Sequence, residues 1–254
     1  REIVLTGIDL GAYGRDFGGS PSLADVLEMA ANAQGIARVR VSSVDPTDVT
    51  DRLLDIMGSE PAVCPHLHVP LQSGDDEVLR RMNRRYTGAE FEEVVARARA
   101  RVPDLAVTSD VIVGFPGEDE PAFEATMSLC GRVGFSRLHV FQYSRRRGTV
   151  AAGLAGQVAQ EEKQRRSERL IALGRELALK FHRGLMGQTV QVLVEKSCGA
   201  VCEGLTGSYV RVVASRATEN GRSAPSPGAM AAVRVTEAQE GFVRGVVEGS
   251  AEGV

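Results

Sequence analysis

Thr108-Ser109-Asp110-Val111-Ile112-Val113-Gly114-Phe115-Pro116-Gly117-Glu118 is the stretch on which the reading of the fold turns. Its first half is rich in β-branched residues and has the length of a buried strand. Its second half cannot stay extended. Pro116 pushes Phe115 out of the helical region, and Pro116-Gly117 suits the central pair of a type II turn, with glycine supplying the positive φ. Glu118-Asp119-Glu120-Pro121 then reads as an acidic helix start. Strand, tight turn and helix in that order put the turn at a strand's carboxyl end, where α/β proteins build ligand sites. Gly114 and Gly117 lack Cβ, so a flat ligand can lie on the bare backbone. A plain βα turn without a ligand is the competing reading.

The same alternation extends to both sides. Strand patterns are expected at 2–7, 38–43, 64–74 and 136–144, with amphipathic helices between them, from 20 to about 34 and from 88 to 101 among others. Each crossover is long enough for parallel pairing, so the expected class is α/β with an open or partial (β/α) barrel. Thr6-Gly7 and the glycines that follow form another loop at a strand's carboxyl end. In 64–74, Leu67, Val69 and Leu71 share one face while His66, His68 and Gln72 share the other. With helices outside, the polar face looks inward. There the histidines are internally bonded core residues, a polar lining for a ligand, or a His-x-His metal pair; no third ligand is apparent, and no metal site is expected.

A long charged helix is expected from 160 to about 183, with Leu170, Leu173, Leu177 and Phe181 as its buried seam. After 187 the composition changes to four short alternating strands with no helices, at 190–195, 209–213, 231–235 and 242–247, with a turn at 204–208. That pattern suggests a small all-β, OB-like barrel, a fold that often binds oligonucleotides. The expected division is 1–155 for the partial barrel, 156–186 for a connecting helix and 187–250 for the small barrel.

The chain has 254 residues, 43% apolar and 25% charged, with a net charge of −3. These are the values of an ordinary globular protein, and any nucleic-acid surface must be local. Two local basic clusters stand out. Arg80, Arg81, Arg84 and Arg85 surround a helix end ahead of Tyr86, whose ring can stack a base, and Arg145-Arg146-Arg147 follow the fifth strand. A solvated helix terminus is the alternative for the first. Four cysteines, at 64, 130, 198 and 202, are too few for a disulfide scaffold, so a reducing cytoplasm is expected. Cys198 and Cys202 lack the further ligands of a zinc or cluster site. No transmembrane segment or signal peptide is visible. Arg1 opens directly on a strand pattern, so a fragment is expected.

Taken together, Ile3-Val4-Leu5-Thr6-Gly7-Ile8, Ser42-Ser43-Val44-Asp45-Pro46, Cys64 to Gly74, Asp110 to Glu118 and Phe141-Gln142-Tyr143-Ser144 resemble, in order, the motifs of the radical S-adenosylmethionine methylthiotransferases. The likeness is greatest to the branch that modifies threonylcarbamoyladenosine in tRNA (MtaB type). The region from about 187 to 248 resembles that family's TRAM domain, an RNA-binding β-barrel, and the first part a radical SAM barrel without its first strand and cluster loop. The resemblance implies a transferase that cleaves S-adenosylmethionine reductively at a 4Fe–4S cluster. The resulting deoxyadenosyl radical takes a hydrogen from carbon 2 of the adenine, where sulfur is inserted and then methylated, and a second 4Fe–4S cluster takes part.

It further implies cofactor contacts by Thr6, Gly7, Ser42, Ser43, Gln72, Asp110, Gly114, Phe115, Pro116, Gly117 and Glu118. RNA contacts fall to Arg80, Arg81, Arg84, Arg85, Tyr86, Arg145, Arg146, Arg147 and Tyr209; the partners are tRNA and a protein reductant, with no membrane. The family's C-x-x-x-C-x-x-C run is absent, so its cysteines are expected before Arg1 and the fragment alone is expected to be inactive. Asp9 stands where the branch usually has His, and Arg145, Arg147 and Val150 replace prolines. The alternatives are the branches acting on isopentenyladenosine in tRNA or on a ribosomal-protein aspartate, and a non-catalytic RNA-binding module.

Overall fold

A computed structural model describes residues 1–18, 20–216 and 224–251. Its first part runs β1 (Glu2–Leu5), α1 (Leu23–Ala31), β2 (Arg38–Val41), α2 (Asp51–Ser59), β3 (His66–His68), α3 (Asp76–Arg81), α4 (Gly88–Arg101), β4 (Ala106–Val113), α5 (Glu120–Val133) and β5 (Arg137–Gln142). Strand β1 pairs with β2, and β3 with β4 and β4 with β5, all in parallel. Parallel bridges Val39↔Val63 and Ser43↔His68 join the two groups, so the strands lie side by side in sequence order. This is the expected partial (β/α) barrel.

Local sequence explains the helix starts. Ser22 and Asp25 form a capping box on α1, Thr87 and Glu90 one on α4, and Asp119 caps α5 beside Pro121. Leu67 and Val69, on the outer face of the strand region, are fully buried in one core with Leu53 and Leu54 of α2 and Phe91 of α4. The 64–74 segment is less regular than expected. Only three residues form a strand, because Pro65 and Pro70 bring no N–H to the ladder and Gln72 takes a positive φ of 65°. Gln72 nevertheless bridges Val111.

After α6 (Val150–Gly153), the long helix α7 (Gln160–Gly184) packs along β5 and α5. Its buried face differs from the expected leucine seam. Lys163, Arg166, Ser167, Leu170, Gly174, Ala178 and His182 are buried, while Leu173, Leu177 and Phe181 flank them half-exposed. The helix is rotated toward its charged side because Arg166 has a buried carboxylate to meet.

Among the described residues the C-terminal part holds five strands, not four: β6 (Thr189–Cys198), β7 (Val201–Thr206), β8 (Arg211–Arg216), β9 (Met230–Ala238) and β10 (Val243–Ala251). They close in the order β10-β8-β7-β6-β9, with β8 parallel to β10 and the other pairs antiparallel, which is the five-stranded OB arrangement. The unexpected strand is β7. Gly204 resembles a turn residue, but it lies mid-strand because a Cβ there would come within 2.0 Å of the Leu193 carbonyl oxygen on β6. The turn falls instead at Gly207 to Tyr209, and Tyr209 carries a positive φ of 64°.

Candidate cofactor and substrate site

The turn after β4 has the expected geometry: the Glu118 N–H donates to the Phe115 carbonyl at 2.9 Å, and Gly117 has φ 88°. The expected bare surface is filled. A Cβ on Gly114 would meet Lys163 Cγ at 2.3 Å, and one on Gly117 would meet Arg81 Nη1 at 1.2 Å. Arg81 Nη1 donates to the Pro116 carbonyl at 2.9 Å, and Gly117 N–H donates to Gly156 at 2.8 Å. Phe115 is buried, edge-on to Tyr143 with centroids 5.2 Å apart. Glu118 is buried too. Its Oε1 accepts from Gly114 N–H at 2.9 Å and from Arg166 Nη1 at 2.8 Å. Burial pushes its carboxyl above the usual range, against the Gly114 and Arg166 hydrogen bonds. Within the chain the glycines of this turn make room for the Lys163 and Arg81 side chains, and Glu118 ties the turn to α7.

The rest of the rim is different. Thr6, Gly7 and Ser43 are exposed and Ser42 half-buried, at the carboxyl ends of β1 and β2. Among the described residues, none of the Thr6, Ser42, Ser43 and Gln72 side chains makes a hydrogen bond. Gln72 sits with its strained backbone held between Asp110 O and Ile112 N. This rim carries unspent hydrogen-bonding capacity on rigid strand ends.

Below it, within the sheet's inner face, lies a layer the sequence only half revealed. Thr108 Oγ1 is 3.1 Å from His66 Nε2 and 2.9 Å from His68 Nδ1, and His68 Nε2 is 3.5 Å from Asp110 Oδ1. A single hydroxyl hydrogen sets the tautomers: His66 donates to Thr108, Thr108 donates to His68, and His68 presents its N–H to Asp110. His66 Nδ1 is then a bare lone pair, which agrees with its having no partner. Burial, followed by Arg40, drives the His66 pKa down to about 3. The His68 hydrogen bond holds Asp110 below the usual carboxylate range, and burial pushes His139 down. His139 joins because β5 lies in register with β4, opposite Asp110. Single-strand alternation cannot show that, so His139 and Thr108 were missed.

At the amino ends of the strands the C-terminal barrel closes the sheet. Arg40 donates to the carbonyls of Gly207 (2.8 Å) and Thr206 (3.1 Å), Arg38 donates to Leu205 (3.1 Å), and Glu2 accepts from both arginines. The Arg40 guanidinium lies 4.7 Å from the Tyr209 ring centroid, and the His66 ring is 5.0 Å from the same centroid. Tyr209 thus sits at the seam between the two parts, 41% exposed, with Arg40 and His66 against its ring. Tyr86, expected to stack a base, has its ring buried and its hydroxyl donating to the Pro70 carbonyl at 2.9 Å. The first arginine cluster divides. Arg81 turns to the Pro116 carbonyl, Arg80 pairs with Glu77 at 2.6 Å, and Arg84 and Arg85 are exposed. Arg145, Arg146 and Arg147 are all exposed.

Residues 4–130 match the model of the radical SAM superfamily. The chain belongs to the radical SAM superfamily. It is 40% identical over 195 residues to the threonylcarbamoyladenosine tRNA methylthiotransferase MtaB of Thermotoga maritima, covering 77% of this chain and 44% of that protein. It is 38% identical over 246 residues to the tRNA-2-methylthio-N(6)-dimethylallyladenosine synthase of Leifsonia xyli subsp. xyli, covering 93% of this chain and 45% of that protein. The chain thus spans a little under half the length of these curated relatives. Among solved structures it aligns with coproporphyrinogen III oxidase from Escherichia coli, described as a radical SAM enzyme. That alignment has a TM-score of 0.48 at 22% identity, over 61% of this chain and 36% of the other.

Membership implies S-adenosylmethionine and a 4Fe–4S cluster. The free hydroxyls and amide of the Thr6, Ser42, Ser43 and Gln72 rim fit the polar cofactor. The thiols do not fit the cluster. Among the described residues no three cysteines come together; Cys64, Cys130 and Cys202 are buried, and burial pushes the Cys130 thiol up to about 12. No described helix is long and apolar enough to cross a membrane.

Proposed function

We propose that this chain supplies the cofactor rim and an RNA-binding barrel of a tRNA methylthiotransferase that modifies carbon 2 of an N6-substituted adenosine. The supporting observation is that the likeness to such an enzyme continues through both parts, 93% of the chain aligning with one of them. Thr6, Ser42, Ser43 and Gln72 bind and orient the polar groups of S-adenosylmethionine, which supplies a deoxyadenosyl radical and a methyl group when bound and activated. The inner layer of His68, Asp110 and His139 lies on the same inner face of the sheet. Cluster ligands lie outside the described residues, so these residues alone, reconstituted with iron and sulfide, give no cluster absorbance and no deoxyadenosine.

The RNA face comprises Arg84, Arg85 and the loop of Arg145, Arg146 and Arg147 with the C-terminal barrel, which we read as a TRAM domain. The reductant is a protein electron donor, and the compartment is the cytoplasm. The favoured substrate is threonylcarbamoyladenosine, supported by the 40% identity to the Thermotoga maritima protein; the dimethylallyladenosine branch is the second reading, supported by the longer alignment. Disrupting the gene and analysing digested tRNA by mass spectrometry decides. Loss of the 2-methylthio form of threonylcarbamoyladenosine is expected, loss of the dimethylallyl counterpart selects the second reading, and no change refutes both.

A further inference from the structure

Among the described residues, one trio of side chains presents metal-ligand atoms close together: His68, Asp110 and His139, whose donor atoms lie within 4.8 Å of one another. We propose that these three residues bind a first-row divalent cation in the lumen of the parallel sheet. The site follows from the sheet register. His68 comes from the end of β3, Asp110 from the middle of β4 and His139 from β5 directly opposite it. Three adjacent strands of a packed sheet hold the ligands more rigidly than a loop can.

The donor set is two imidazoles and one carboxylate, the composition that takes zinc, iron or cobalt and leaves coordination positions open. All three groups are half-buried on the lumen side, with side-chain exposures of 17% for His68 and 33% for Asp110. The spacing is somewhat wider than the roughly 3.3 Å ligand–ligand edge of a tetrahedral site built at normal bond lengths, so small side-chain rotations close it. The two imidazole rings are 5.9 Å apart and inclined at 71°.

A second observation supports the trio: His68 already has the outer partner that metal-bound histidines use. Its Nδ1 is 2.9 Å from the Thr108 hydroxyl, leaving Nε2 toward Asp110. When the cation takes Nε2, the His68 proton sits on Nδ1 and is accepted by Thr108, whose own hydrogen turns to His66 Nε2 at 3.1 Å, the His66 proton moving from Nε2 to Nδ1. Both hydrogen bonds of the Thr108 hydroxyl are kept, and the His66 N–H is left on the unpartnered Nδ1. Neighbouring positive charge is offset, since Arg40 is held by Glu2 and by carbonyls of the C-terminal barrel. The trio is only half-buried, so water or a nitrogen or oxygen of a guest molecule can complete the shell.

The test is a cobalt(II) titration of the chelator-treated 254-residue chain, followed by visible absorbance and displaced by zinc. One equivalent is expected at micromolar affinity, with nitrogen/oxygen ligand-field bands and no thiolate charge-transfer band. Asp110→Asn and His139→Ala should each weaken binding at least about tenfold, and Thr108→Val by about tenfold through the lost outer partner. Cys198→Ser, at the one exposed cysteine, should leave it unchanged. Zinc should raise the melting temperature of the wild type and not of Asp110→Asn. Should His139→Ala fail to fold, the near-isosteric Asp110→Asn decides alone. No absorbance change at millimolar cobalt, or binding indifferent to Asp110→Asn, overturns the site. None of these readouts depends on S-adenosylmethionine or tRNA.

Discussion

At the scale of single residues, the inner layer shows how burial assigns protonation. His66 is 5% exposed, shares a hydroxyl with His68 and lies near Arg40. A histidine whose folded pKa lies near 3 refuses a proton that the unfolded chain accepts below about 6.5. Its contribution to stability is therefore complete above about pH 6.5 and is lost as the pH falls from there toward 3. The slope approaches 1.4 kcal/mol per pH unit. Between pH 7 and 5 the wild type should lose about 2 kcal/mol more than His66→Gln, whose amide can still donate to Thr108 but takes up no proton. Urea denaturation at the two pH values measures this, and parallel losses would count against a buried neutral His66.

At the scale of elements, the βα turn was legible in the sequence and the side chains that pack on it were not. Pro116-Gly117 dictates a type II turn from local sterics alone, and the turn formed. What fills the glycine face depends on α3 and α7, which are distant in sequence, and here Arg81 and Lys163 fill it. The same limit explains α7, where leucine spacing indicated one face but the buried Glu118 draws Arg166 inward. It also explains β7, where Gly204 has the composition of a turn and the role of a close strand contact. Two measurements follow. Gly117→Ala should be destabilised by more than about 1 kcal/mol, from positive φ plus the guanidinium clash. Part of that loss should return in an Arg81→Ala background, and equal penalties in both backgrounds would mean that Arg81 does not fill the space. Arg166→Met should cost about 3–5 kcal/mol by leaving Glu118 buried and unpaired. Arg166→Met combined with Glu118→Gln should recover most of it in a double-mutant cycle.

At the scale of the whole molecule, a helix-backed parallel sheet and a closed β-barrel share a polar seam. Arg40 is its centre: 3% exposed, it reaches Glu2 on β1, two carbonyls before Tyr209, and the Tyr209 ring itself. Hydrogen bonds from a charged donor are worth about 1.5–3 kcal/mol each, so this one side chain couples the parts by an amount comparable to a small domain's own stability. The apolar cores, by contrast, are separate clusters, one around Leu67 and Phe91 and one around Val212 and Val233. Two cores joined by buried polar contacts should unfold together only while those contacts hold. The wild type should therefore melt in a single calorimetric transition, and Arg40→Met should split it into two, the C-terminal barrel surviving as a folded unit beside a less stable sheet. Tyr209→Leu, which removes only the ring contact, should narrow the separation relative to Arg40→Met. A single undivided transition in Arg40→Met would show that α7, through the His182 contact with the Gln239 carbonyl, carries the coupling instead.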